Sequence, residues 1–65
     1  MSELYDEVRQ RMMQNGAYNV PLLEIERRWD HQFDRDATAV EDFIGWCKRS
    51  GWRATIKDRL VEIRR

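Results

Sequence analysis

The spacing of apolar residues changes at Gly51, and this change constrains the fold more than any other feature of the sequence. Before Gly51, apolar side chains recur every three to four residues, as they do on one face of an α-helix. After Gly51 they alternate with polar ones, from Trp52 to Ile56 and again from Val61 to Ile63, which is typical of strands. The sequence therefore predicts an α+β fold of three helices followed by a C-terminal β-hairpin, with a short strand before the second helix.

A two-residue turn at Asp58-Arg59 joins the two strands of the predicted hairpin. Such a turn pairs Ile56 with Val61 and Ala54 with Ile63, so the apolar residues of both strands share one face. We expect this face to complete the core and the opposite, basic face to contribute little to stability. The residues expected to be needed for folding are Trp52, Ile56, Val61 and Ile63.

Two helices are expected in the first half of the chain. The first begins at a Ser2 N-cap and stops at Asn15-Gly16. Its buried stripe comprises Leu4, Tyr5, Val8 and Met12. The second begins at Pro21, which suits the first turn of a helix but favours extended backbone at Val20. Its apolar face comprises Leu22, Ile25, Trp29 and Phe33.

The third helix is expected to start at an Asp36 N-cap and to end at Ser50-Gly51. Its apolar stripe comprises Val40, Phe43, Ile44 and Cys47. Its outward face comprises Glu41, Asp42, Gly45, Lys48 and Arg49. A glycine inside a helix costs about 1 kcal/mol relative to alanine, so Gly45 indicates close approach of another backbone.

The small size of the chain limits its core and its range of functions. Its 65 residues make one domain, residues 1–65, and three Trp, two Tyr and two Phe offset the short length because they bury the most area per residue. The single cysteine, Cys47, excludes an intramolecular disulfide and favours a reducing, cytoplasmic location. No apolar stretch approaches the roughly 20 residues of a membrane span, so no membrane partner is expected.

Catalytic and metal-binding groups are scarce. Cys47 falls on an apolar stripe, where it is expected to be a small core residue, and His31 lies opposite the apolar face of the second helix, where exposure is expected. Asp30, Asp34 and Asp36 could hold a hard cation but lack the glycine and glutamate of a calcium loop. We therefore expect no catalytic activity, no metal and no cofactor.

A zero formal net charge conceals a strong asymmetry along the chain. Residues 1–45 contain ten acidic and five basic residues, a formal charge of −5. Residues 46–65 contain seven basic and two acidic residues, a formal charge of +5. Such a dipole orients a molecule toward an anionic partner even at zero net charge, although mixed charge is also typical of an ordinary solvated surface.

The order of the predicted elements resembles that of the winged helix-turn-helix domain. The resemblance lies in the runs NGAYNVPLLEIERRW and TAVEDFIGWCKRSGW and in the terminal hairpin, and it covers nearly the whole chain. It implies a third helix that enters the major groove of DNA and a hairpin, the wing, that contacts the backbone or minor groove. The matching third-helix positions are Thr38, Glu41, Asp42, Gly45 and Arg49, and the matching wing positions are Arg53, Lys57 and Arg59. Glu41 and Asp42 depart from this pattern because phosphates repel carboxylates, which makes the wing the better-suited contact.

The leading hypothesis is a non-enzymatic regulatory or nucleic-acid-binding module whose basic tail meets a nucleic acid or an anionic protein surface. Its expected contact residues are Lys48, Arg49, Arg53, Lys57, Arg59, Arg64 and Arg65. The alternative is a small adaptor or inhibitor that occupies a basic protein groove, similar in size to phage-encoded inhibitors such as anti-CRISPR proteins. Its contact residues would be Glu24, Asp30, Asp34, Asp36, Glu41 and Asp42. Trp46, at the edge of the third helix's apolar stripe, either packs under the wing or joins this set as a partly exposed anchor. The open edge of a short hairpin also allows a homodimer.

Overall fold

The computed structural model describes residues 3–65, which form three helices and one three-stranded antiparallel sheet. The helices are α1 (Leu4–Asn15), α2 (Leu22–Arg28) and α3 (Ala39–Arg49). The strands are β1 (Ala17–Pro21), β2 (Arg53–Lys57) and β3 (Leu60–Arg64). The predicted α+β fold is confirmed, with the hairpin after the third helix and a short strand before the second.

The last strand in sequence, β3, is the middle strand of the sheet, whose order is β1-β3-β2. The predicted hairpin register is confirmed, with Ile56 opposite Val61 and Ala54 opposite Ile63. The turn between the strands places Asp58 at a φ of 58°, in the left-handed region that short polar residues tolerate. On its other side, β3 pairs with β1 in the register Tyr18 with Ile63 and Val20 with Val61.

The core fills the space between the three helices and one face of the sheet. Its buried apolar residues are Leu4, Val8, Met12, Val20, Ile25, Trp29, Phe43, Trp46, Cys47, Val61 and Ile63. Trp46 lies at the centre of the aromatic cluster, with ring centroids 5.2 Å from Trp29 and 5.5 Å from Trp52. Trp46 is only 8% exposed, so of its two predicted positions it takes the buried one, and the partly exposed anchor is wrong.

The helix ends depend on local hydrogen bonds and backbone geometry. α1 ends at Gly16, whose φ of 72° is left-handed and whose N–H donates to the Met12 carbonyl. The predicted Ser2 N-cap lies outside the described residues, and Glu3 occupies the N-cap position of α1. The predicted Asp36 N-cap is wrong, because α3 begins after Thr38, which forms a capping box with Glu41.

The second helix is shorter than its apolar spacing predicts. α2 ends at Arg28, and Trp29 already has extended backbone, with φ −78° and ψ 129°. Phe33, expected on the buried face of this helix, lies in the connection to α3 and is 48% exposed. The helix stops because the backbone N–H groups of residues 32–34 donate to the Asp42 side chain instead of to helical carbonyls.

Three further expectations, about Ile56, Gly45 and His31, are wrong. Ile56 lies beside the hairpin turn on the edge strand and is 53% exposed, so it adds little to the core. A Cβ added to Gly45 would meet nothing within 4 Å, so no backbone approaches this glycine within the described chain. His31 is half-buried rather than plainly exposed, with Nε2 2.9 Å from the Ala37 carbonyl oxygen.

Candidate functional site

The face of the sheet that points away from the core carries most of the polar residues of the hairpin. Side chains alternate along each strand, so the residues between the core positions share the opposite face, here called the outer sheet face. On β2 these residues are Arg53, Thr55 and Lys57. On β3 they are Leu60, Glu62 and Arg64, and on β1 they are Ala17, Asn19 and Pro21.

Three cationic residues lie on the outer sheet face. Arg53 lies directly opposite Arg64 across the hairpin, and Lys57 lies four residues further along β2 on the same face. All three residues are exposed. Between them lies Glu62, whose carboxylate is 3.0 Å from the Arg64 guanidinium. The face is therefore basic, with one carboxylate at its centre.

Arg59 extends the basic surface to the tip of the hairpin. It occupies the second position of the turn and is exposed. Its carbonyl oxygen accepts a hydrogen bond of 2.9 Å from the Leu22 N–H, which ties the turn to the start of α2. The tip is thus anchored through its backbone, while the Arg59 side chain stays at the surface.

Lys48 and Arg49 belong to the last turn of α3, where positive charge complements the helix dipole. Both are exposed. The Arg49 guanidinium lies 4.0 Å from the centroid of the Phe33 ring, a cation–π contact with the connection before α3. Phe33, Arg49 and Gly45 line a shallow pocket of about 260 Å³. Asp34 and Glu41 also line it.

Arg65 closes the end of α1 rather than joining the other cations. Its backbone N–H donates to the Gly16 carbonyl at 3.2 Å, and its guanidinium donates to the Met12 carbonyl at 3.2 Å. A Cβ at Gly16 would come within 3.5 Å of the Arg65 side chain. Arg65, one of the predicted basic contact residues, therefore has a structural role.

Asp42 is buried, so its predicted place on an outward helix face and in a protein-binding surface is wrong. It is 4% exposed, and its carboxylate accepts four hydrogen bonds. The donors are Trp29 Nε1 at 2.8 Å and the backbone N–H groups of Gln32 at 2.7 Å, Phe33 at 3.0 Å and Asp34 at 2.9 Å. We call this arrangement the Asp42 hub.

The Asp42 hub keeps its carboxylate ionised. Burial by itself would raise the pKa of Asp42, because a charge is costly away from water. The N–H groups of Asp34 and Gln32, the Trp29 indole and the Phe33 N–H together outweigh this effect and hold the pKa well below its usual range. The hub is thus a charged structural element that fixes the connection between α2 and α3.

The remaining acidic residues stay at the surface but also serve local structure. Glu41 accepts a hydrogen bond from the Thr38 hydroxyl at 3.0 Å, and the Asp34 carboxylate accepts one from the Asp36 N–H at 3.0 Å. Glu24 is 3.9 Å from the Arg28 guanidinium. Asp30, Asp34, Asp36 and Glu41 are exposed, so they stay accessible as predicted contact residues, whereas Asp42 does not.

A polar cluster that joins α1, β1 and α2 has no counterpart among the sequence predictions. Glu7 accepts a hydrogen bond from the Tyr18 hydroxyl at 3.0 Å and pairs with the Arg28 guanidinium at 3.3 Å. Burial, the hydrogen bond to Glu7 and its negative charge raise the pKa of Tyr18. No local pattern signals this cluster, because its members lie on three separate elements.

Reactive groups are few in the part of the chain that the structure describes. Cys47 is fully buried, which confirms its core position, and burial raises the pKa of its thiol to about 12. No cluster of three or more His, Cys, Asp or Glu residues within residues 3–65 could hold a metal ion. None of the helices in this range is long and apolar enough to cross a membrane.

Comparison with known proteins finds no matching family model, curated protein or solved structure. A functional proposal for this protein therefore rests on the geometry and charge of its described residues.

Proposed function

We propose that the protein is a small, non-enzymatic, cytoplasmic binding module of winged-helix-like type that contacts nucleic-acid phosphates through its hairpin. The observation that carries the proposal is the shared position of Arg53, Lys57 and Arg64 on the outer sheet face. The face opposite to them packs on the core, so their orientation is fixed by the register of the sheet. Arg59 at the turn extends the same surface.

The spacing of these cations suits a polyanion. Arg53 and Arg64 lie opposite each other on adjacent strands, which brings their Cα atoms within about 5.5 Å. Lys57 lies four residues from Arg53, or about 13 Å along an extended strand. This distance is close to the roughly 12 Å width of the major groove, so the two ends of β2 can meet phosphates on opposite sides of a groove.

The order of the elements supports the winged-helix-like part of the proposal. A short strand lies between α1 and α2, the hairpin follows α3, and β1 completes the sheet by pairing with β3. The outward face of α3 has few cations in its first half. Glu41 lies in the first turn, and Gly45, in the middle of the helix, has no side chain. Contact through the hairpin is therefore better supported than entry of α3 into a groove.

Salt dependence and charge removal test the proposal. Three or four phosphate contacts should weaken binding of a DNA or RNA duplex roughly a hundredfold between about 50 and 200 mM salt. The combined variant Arg53→Ala, Lys57→Ala, Arg64→Ala should stay folded and lose most of this affinity and of its salt dependence. Fluorescence anisotropy with labelled duplexes measures both quantities.

A matched control separates the outer sheet face from total charge. The variant Arg9→Ala, Arg27→Ala, Arg35→Ala removes the same charge from exposed positions on α1, α2 and the connection before α3. It should bind as the parent protein does. Equal loss in both variants, or no binding at low salt, would exclude the outer sheet face as a nucleic-acid contact.

The protein-binding alternative has lost two of its expected contacts, because Asp42 and Trp46 are buried. Its remaining support is the exposed Phe33 beside Asp34 and Glu41. Capture from cells decides between the two functions: nuclease-sensitive recovery of nucleic acid favours the hairpin, whereas one stoichiometric basic protein favours the acidic surface.

A further inference from the structure

β2 is an edge strand, and its outward backbone groups belong to Ala54 and Ile56. A two-residue turn closes with a hydrogen-bonded pair, which is Lys57 with Leu60 here. The bonded positions then alternate, so Thr55 and Arg53 also direct their N–H and C=O groups toward β3. Ala54 and Ile56 direct theirs away from the sheet, and β3 is the one strand paired with β2 within residues 3–65.

The two edges of the sheet differ in how open they are. On β1 the outward positions include Pro21, which has no N–H, and α2 begins directly after it. β2 has neither a proline nor a helix start within it. Its residues are exposed apart from the half-buried Ala54, so the β2 edge is the one that an added strand can reach.

The side chains beside this edge define what such a strand would carry. Ile56 is 53% exposed and lies on the core side of the sheet, where an added strand would present an apolar residue. Arg53 and Lys57 lie on the other side, at the two ends of β2. An acidic residue opposite each of them would form a favourable cross-strand pair.

A second copy of the same edge is a poor occupant. Antiparallel self-pairing that joins all five residues of β2 is centred on Thr55 and places Arg53 opposite Lys57 twice. Like charges directly opposite each other destabilise strand pairing. Self-pairing centred on Ala54 or Ile56 avoids this opposition but joins only about three residues of the strand, which leaves little to stabilise a dimer.

We propose that the β2 edge binds an extended acidic segment of a partner protein, which adds a fourth strand to the sheet. The segment alternates acidic residues, which meet Arg53 and Lys57, with apolar residues, which cover Ile56 and Ala54. Its backbone bonds to the outward N–H and C=O groups of Ala54 and Ile56. This contact does not require nucleic acid, but it uses the Arg53 and Lys57 side chains of the outer sheet face, so the acidic segment and a nucleic acid would compete for them.

A blocked peptide with the central sequence Glu-Val-Thr-Val-Glu tests the proposal. On titration to millimolar concentration, the amide NMR signals of Ala54 and Ile56 should shift and their hydrogen exchange should slow. A peptide with lysine in place of both glutamates should bind at least about tenfold more weakly, a difference of ~1.4 kcal/mol. Failure of the glutamate peptide to bind, or equal binding of both peptides, overturns the proposal.

Variants at Ile56 separate backbone pairing from side-chain contact. Ile56→Pro removes an N–H that points away from β3, so the hairpin should remain and peptide affinity should fall about tenfold. Ile56→Thr keeps the N–H and a β-branched side chain and should retain most of the affinity. Equal affinity of the proline variant and the parent contradicts strand addition.

Charge reversal keeps the test decisive if the proline variant does not fold. The variant Arg53→Glu, Lys57→Glu should bind the lysine peptide more tightly than the glutamate peptide, which is the reverse of the parent's preference. An unchanged preference rules out the assigned cross-strand pairs. A rise in molecular mass without peptide, measured by light scattering, would show self-pairing at this edge and would also contradict the proposal.

Discussion

At the scale of single residues, Asp42 determines the path of the chain between α2 and α3. The apolar spacing of Leu22, Ile25, Trp29 and Phe33 predicts a helix that continues to Phe33, yet α2 ends at Arg28. The competing interaction is with a carboxylate on the next helix, which attracts three successive N–H groups. The spacing of apolar residues reports only the local preference of a segment for helix. It cannot predict the Asp42 hub, because the hub depends on a residue of another helix.

The variant Asp42→Asn should be destabilised by about 2–4 kcal/mol at neutral pH. The amide group keeps the size of the side chain but loses the charge, and its NH₂ would face N–H donors that then lack an acceptor. Chemical denaturation followed by tryptophan fluorescence measures the change. Asp30→Asn is a suitable control because Asp30 is exposed, and it should change stability by less than about 0.5 kcal/mol.

The pH dependence of stability should also change in Asp42→Asn. The pKa of Asp42 is lower in the folded protein than its ordinary value of 3.8. Its stabilising contribution is therefore complete above the unfolded pKa and declines as the pH falls from about 4 toward the folded pKa. The parent should lose more stability than Asp42→Asn between about pH 5 and pH 2. Equal losses would mean that Asp42 is not the group responsible.

At the scale of elements, the hairpin was the most predictable part of the fold. Alternation over two short runs, separated by a two-residue turn, fixes both the strands and their register. The same alternation cannot report how far the helices cover each strand. The alternation therefore predicts the correct face for Ile56 but is wrong to predict its burial, since Ile56 lies near the turn of an edge strand.

α3 offers a test of whether its outward face is in contact with a partner. Gly45→Ala should stabilise the protein by about 0.5–1 kcal/mol, because alanine favours helix and the added Cβ meets nothing within 4 Å. Thermal unfolding measures the gain. If binding occurs through the hairpin, affinity for a nucleic acid should not change, whereas a loss of affinity would indicate that a partner approaches the backbone of α3 at Gly45.

At the scale of the whole molecule, the charge asymmetry is visible in the sequence but its arrangement in space is not. The seven predicted cations divide among the outer sheet face, the turn, the end of α3 and the end of α1. Arg53, Lys57 and Arg64 could be assigned to one face from the hairpin register. The structural role of Arg65 could not, because it depends on the position of α1 relative to β3.

Glu62 should limit the affinity of the outer sheet face for phosphates. It lies among three cations and pairs with Arg64 at 3.0 Å. Glu62→Gln removes a repulsive charge and releases Arg64, so affinity for a duplex should rise about threefold to tenfold at low salt. Anisotropy titrations at two salt concentrations should also give a steeper salt dependence. Weaker binding would instead mean that Glu62 positions Arg64 for its contact.

The central position of β3 makes the order of folding events predictable. The β2-β3 hairpin joins residues that are near in sequence, whereas pairing of Ala17 with Arg64 must close a loop that contains most of the chain. Loop closure opposes such distant contacts until local ones have formed. We therefore expect the hairpin to form first and β1 to dock on it in a later, slower step. The rate-limiting barrier should lie at the docking of β1. Substitutions in β1 should therefore act mainly on the rates of folding and unfolding.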